Sequence, residues 1–148
     1  WDWNTCPDYA ERKLLAILEE LIVDSSQIQH LNIVGHSYGG TLVAGLADET
    51  TAITMSIHTV AAPMIPYERL INRCANFNGY ENMTISNDLF QWRTVKEEDG
   101  AFKNMAVDPQ IVNIPNSTVI ELPPQFKDGR RLGHNWSISW VIDNIFED

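Results

Sequence analysis

The chain has 148 residues, 44% of them hydrophobic, enough for one domain with its own core. Its 20 acidic against 10 basic residues leave a net charge of −10. That balance disfavours nucleic acid, whose phosphates require concentrated Lys and Arg, and tight electrostatic binding to anionic membranes; neutral lipid or ester substrates stay open.

No apolar run is long enough to span a bilayer, so stable membrane insertion is not expected, and no repeat, heptad pattern or low-complexity tract is visible. The chain opens at Trp1 with neither methionine nor a signal-peptide pattern, so a processed form or a piece of a longer chain is expected. Residues 1–6 are aromatic and polar without periodicity. Thr5 reads as a helix N-cap, with Pro7 in the first turn and Asp8 three residues after the cap. Over residues 9–23, Leu14, Ile17, Leu18, Leu21 and Ile22 share one helical face, and Asp24, Ser25 and Ser26 end the helix.

Residues 31–34 form a short apolar run expected as a buried strand. Gly35-His36-Ser37-Tyr38-Gly39 follows, then a small-residue helix over 41–47. The five residues fit G-x-S-x-G, a sharp turn from strand to helix that holds the serine hydroxyl above a sheet. A side chain on either flanking glycine, Gly35 or Gly39, is expected to collide with the neighbouring strand or helix. The Gly39-Gly40 pair would let the helix approach the sheet closely. A helix start beneath Ser37 also favours negative charge developing beside it.

Residues 48–51 are a polar break, and 52–60, β-branched at Ile53, Thr54, Ile57, Thr59 and Val60, read as a second strand. Strand, helix and strand at this spacing make a βαβ unit and so a parallel sheet with a right-handed crossover. Residues 67–75 read as a short helix, 76–79 as a turn and 83–86 as a third strand, followed by Asn87 and Asp88. Residues 89–116 are long for a connection and are expected to hold helix or a functional loop. Residues 118–122 read as a fourth strand and 127–131 as a charged loop. Gly133 then opens a last helix carrying Trp136, Trp140, Val141, Ile145 and Phe146.

At the turn around Ser37 the chain resembles the α/β-hydrolase family, especially its small serine lipases and esterases. The resemblance extends from the helix before the turn to the last helix. It implies a single, partial α/β-hydrolase domain over 1–148: a mostly parallel sheet with flanking helices, without the strands that precede this region in the complete fold. A missing segment or a second chain would then complete the sheet, and the strand before Ser37 would lie at an exposed edge. The implied activity is cleavage of carboxylic esters, with thioesterase and peptidase chemistry not separated by these residues; a non-catalytic α/β-hydrolase-like binding module or an inactive fragment is the alternative. No cofactor or metal is implied.

A serine hydroxyl needs an imidazole base, and the base an orienting carboxylate. The family order is Ser, then Asp or Glu, then His, each after the carboxyl end of a strand. That order points to Ser37 as nucleophile and His134, between the last strand and the last helix, as base. His30 sits at the other end of the sheet, His36 inside the turn is aimed elsewhere, and His58 reads as packed within a strand. Asp88, directly after the expected third strand, is the first choice for the acid, with Asp99 and Asp108 as rivals. By the same resemblance the backbone N–H of Tyr38 is an oxyanion donor. Trp92, Phe102, Trp136 and Trp140 are candidates for either an acyl pocket or the core.

Cys6 and Cys74 either pair or stay apart as buried thiols, and no metal-ligand spacing is present. Of three Asn-x-Ser/Thr triplets, at Asn82, Asn116 and Asn135, the last is expected to be unused because it adjoins His134.

Overall fold

The computed structural model describes residues 4–24 and 27–145. Trp1, Ser25, Ser26 and Phe146, which entered the expectations above, lie outside the described residues. The architecture is α/β: a four-stranded, all-parallel sheet in the order β1-β2-β3-β4, flanked by helices. The strands are β1 (His30–His36), β2 (Thr54–Val60), β3 (Asp88–Arg93) and β4 (Thr118–Glu121). The helices are α1 (Pro7–Asp24), α2 (Tyr38–Ala44), α3 (Glu68–Arg73) and α4 (Gly133–Asn144). A 3-10 turn at Gly45–Ala47 continues α2, and another spans Lys96–Glu98.

The period-two alternation of the strands separates two cores. Leu31, Ile33, Met55, Ile57 and Leu89 face α1, α2 and the 3-10 turn after it, whose Leu14, Leu18, Val43 and Leu46 pack on them. Val34, Val60, Phe90, Trp92 and Ile120 face the other way, against Ile138, Trp140 and Val141 of α4. Trp92 and Trp140 meet edge to face with ring centroids 6.2 Å apart, so both belong to the core. His58 is 4% exposed. It accepts the Trp92 indole N–H at Nδ1 and stacks on Phe90. β1 pairs with β2 alone among the described strands, so the strand before Ser37 lies at a sheet edge.

Three expectations are corrected. The third strand is not 83–86 but Asp88–Arg93. The N–H groups of Ser86 and Asn87 donate to the Ala47 carbonyl, and the Asn87 amide donates to Leu46 and Glu49, so the end of this stretch is tied to the 3-10 turn after α2 and not to a strand. Strand then fills the start of the connection expected to hold helix or a loop. On α1 the buried stripe runs through Ala10, Leu14, Leu15 and Leu18, leaving Ile17 51% and Leu21 41% exposed. At the start of α1 the Cys6 carbonyl, not a Thr5 cap, receives the Tyr9 and Ala10 N–H groups. Cys6 and Cys74 form a disulfide that ties this start to the end of α3.

Candidate active site

Ser37 stands between the last residue of β1 and the first of α2 with φ 55° and ψ −131°. This backbone region is sparsely populated and costs a non-glycine residue on the order of 1–3 kcal/mol. The neighbours hold it there. The Ser37 N–H donates to the Val60 carbonyl at 2.8 Å, and the Ser37 carbonyl accepts the Gly40 N–H at 2.9 Å. The glycines do not contribute equally. A Cβ on Gly35 would lie 2.4 Å from the Gly39 carbonyl oxygen, and one on Gly40 would lie 2.6 Å from the Ala62 Cβ. A Cβ on Gly39 would meet nothing within 4 Å. The close approach expected of Gly39 therefore belongs to Gly40.

The first turn of α4 brings His134 to this serine, with its Nε2 2.9 Å from Ser37 Oγ across 97 positions of sequence. Nδ1 of the same ring lies 3.0 Å from Oδ2 of Asp99. An ionised Asp99 can only accept, so Nδ1 carries the proton and Nε2 is left to accept from the Ser37 hydroxyl. The Phe102 and His134 rings pack nearly perpendicular, with centroids 5.1 Å apart.

Asp99 is fully buried and fully partnered. Its Oδ2 also accepts the Thr94 hydroxyl at 2.5 Å, and its Oδ1 accepts the Ala101 and Phe102 N–H groups. Burial pushes its pKa up, but the hydrogen bonds from His134, Thr94 and Ala101 outweigh it and hold the carboxyl below its usual value. A second tier fixes Thr94. The Gln110 side chain accepts the Thr94 N–H at 2.9 Å and donates to the Thr94 carbonyl at 3.1 Å. Asp108 in turn accepts from the N–H and the side-chain amide of Gln110.

The carboxylate beside the imidazole is thus Asp99, and neither Asp88 nor Asp108 reaches it. Asp88 is the first residue of β3, exposed, at the amino end of the sheet, whereas Ser37 follows the carboxyl end of β1. His30 also lies at the amino end, where its Nδ1 is 2.8 Å from the Thr54 hydroxyl. The His36 ring makes its hydrogen bond away from the Ser37 hydroxyl, with its Nε2 2.8 Å from the His134 carbonyl. Burial lowers its pKa most; the hydrogen bond to the His134 carbonyl opposes this and the nearby His134 ring adds to it, leaving a net shift downward, towards the neutral ring. Thr94, Gln110 and this contact of His36 escaped the sequence, because each joins residues with no common local pattern.

Tyr38, as first residue of α2, has a backbone N–H that cannot find an intrahelical carbonyl. Its phenol donates to the Thr5 carbonyl at 2.5 Å, and burial pushes its pKa up to about 12. A cavity of about 310 Å³ opens at Ser37, walled by Tyr38, Pro63, Tyr67, Leu70, Arg73 and Phe102. A second hollow of about 290 Å³ is lined by His134, Gly100, Asn135 and Trp136, which is 54% exposed. Of the candidate pocket aromatics, Phe102 lines the cavity at Ser37 and Trp136 the second hollow. Ser137, of the Asn135 triplet, is fully buried and donates to the His134 carbonyl.

The arrangement can activate a hydroxyl as a nucleophile, with donors and apolar walls at hand to receive a carbonyl compound. No cluster of three or more His, Cys, Asp or Glu able to hold a metal is found among the described residues, and no helix there is long and apolar enough to cross a membrane. Compared with protein-family models, curated proteins and solved structures, the chain finds no match in any of the three.

Proposed function

We propose that this chain is a serine hydrolase of carboxylic esters, of lipase or esterase type, built on an α/β-hydrolase-like framework. The observation that carries the reading is the unbroken hydrogen-bond chain from Ser37 through His134 to a buried Asp99, behind a serine in positive-φ geometry. The parallel sheet with the serine after a strand's carboxyl end supports the framework.

In this mechanism Ser37 Oγ attacks the ester carbonyl carbon while His134 Nε2 takes the hydroxyl proton. Asp99 holds the Nδ1–H and stabilises the imidazolium that forms. The Tyr38 N–H receives the developing oxyanion. His134 then returns the proton to the departing alcohol, leaving an acyl group on Ser37. Water, deprotonated by the same imidazole, attacks that acyl group; the bond to Oγ breaks, the imidazolium returns the proton to Ser37, and the acid is released. Pro63, Leu70, Phe102 and Met105 in the wall of the cavity at Ser37 suit a hydrocarbon acyl group.

The test is hydrolysis of p-nitrophenyl esters of increasing chain length. Turnover is expected in the wild type and a loss of at least about 10³-fold in Ser37→Ala. Absence of turnover in the folded wild type would leave the binding-module reading in its place.

A further inference from the structure

His36 ends β1 in register with Val60, so strand pairing fixes its backbone one residue before Ser37. Its hydrogen bond goes to the backbone of His134 rather than to the ring: Nε2–H donates to the carbonyl at 2.8 Å. The two rings tilt against each other with centroids 4.9 Å apart. The remaining ties on His134 are of other kinds. The Ser37 contact must change in each half-reaction, because Oγ loses its proton and becomes bonded to the acyl carbon. The Ser137 hydroxyl reaches the same carbonyl, but from within α4, so it joins the base to its own helix and not to the sheet. Upstream, the Leu132 N–H donates to the Pro124 carbonyl, which anchors the approach but not His134 itself. Asp99 orients the ring.

We propose that His36 is a positioning residue: its hydrogen bond to the His134 carbonyl pins the backbone of the base to the end of the strand that carries the nucleophile. The proposal rests on the ester-hydrolase reading above. This contact involves no reacting atom, so it persists while the Ser37–His134 contact is made and broken. A neutral donor suits the place. It gives Nε2–H to the carbonyl and adds no positive charge beside an imidazole that itself becomes cationic during acylation. Small displacements matter here, since a shift of about 1 Å in a reacting pair can cost on the order of 100-fold in rate.

Three variants of the full chain test the assignment, read as kcat and KM on p-nitrophenyl butyrate. His36→Phe keeps a ring of similar shape and removes the donor. It should lower kcat by roughly 10- to 100-fold with KM within about twofold, because only the approach of base to nucleophile is disturbed. His36→Gln carries an amide N–H at about the reach of Nε2 and should recover kcat to within about fivefold of wild type. His36→Asn, one methylene shorter, should fall below Gln. Wild-type kcat in the Phe variant overturns the proposal. So does a loss in Phe that Gln does not relieve, which would mean that ring packing and not the donor matters. If the Phe variant fails to fold, the Gln and Asn pair decides, and equal kcat in the two overturns the proposal. A folded wild type with no turnover brings down the hydrolase reading and the proposal with it, whereas an active wild type with an unimpaired Phe variant brings down this proposal alone.

Discussion

Ser37 and His134 stand 2.9 Å apart, but they are put there by different means. The serine is placed by its neighbours in sequence. β1 ends, the chain turns through one positive-φ residue, and α2 begins, with Gly35 and Gly40 allowing the turn to close. The base and its carboxylate are placed by contacts that ignore sequence order. Asp99 reaches His134 across 35 positions and Thr94 reaches Gln110 across 16. A nucleophile can therefore be written into five consecutive residues, while the groups that activate it depend on the whole carboxyl end of the sheet folding around it.

The distant half should be the more fragile. Gln110 is 1% exposed and spends its amide on both backbone groups of Thr94. In Gln110→Leu these two buried groups lose their partners, at a cost of about 1–3 kcal/mol each. Chemical denaturation should show a loss near the upper end of that range, with a fall in kcat because Thr94 also holds Asp99. An unchanged midpoint would mean that the second tier contributes nothing.

The local half should break at one glycine and not at its neighbour. Gly35→Ala puts a methyl group 2.4 Å from a backbone oxygen and should cost about 1–3 kcal/mol. Gly39→Ala meets nothing within 4 Å and should be neutral, or stabilising by up to about 1 kcal/mol, because alanine favours helix. Equal thermal shifts in the two variants would contradict the geometry of the turn.

The smallest effect lies behind the turn, where Glu11 of α1 rests on Gly45 beyond α2. Its pKa is raised from 4.5 to about 7, first by burial and then by Glu49. An acid that holds its proton more tightly when folded contributes stability that is full below pH 4.5 and lost as pH rises through 7. Glu11 is partly exposed, so solvent screening reduces the effect to about 1 kcal/mol. Glu11→Gln should thus stabilise the chain at pH 8 and leave it nearly unchanged at pH 4. The opposite trend would place the raised carboxyl elsewhere.

The same contrast explains what could be read from the sequence. The helix before the turn, β1, the turn itself, β2, β4 and the start of α4 all carry local signals: helical spacing, β-branched runs, glycines and prolines. β3 did not. Thr84 and Ile85 imitate a strand, but the next two N–H groups, of Ser86 and Asn87, donate to the Ala47 carbonyl and not to a neighbouring strand. Starting the strand at Asp88 carries that residue from the expected carboxyl end to the amino end, which is why the carboxylate beside His134 is Asp99. The support of Thr94, Gln110 and His36 has no local signature, because it consists of hydrogen bonds between segments whose distance in space only the fold determines.

The most direct test of the relay is the rate at which a fluorophosphonate probe labels the folded protein, read by intact mass and peptide mapping. The account predicts modification at Ser37 alone, slowed on the order of 10³- to 10⁴-fold in Asp99→Asn and changed less than about twofold in Asp88→Asn. Labelling that is absent in the folded wild type, or that slows equally in the two variants, would contradict it.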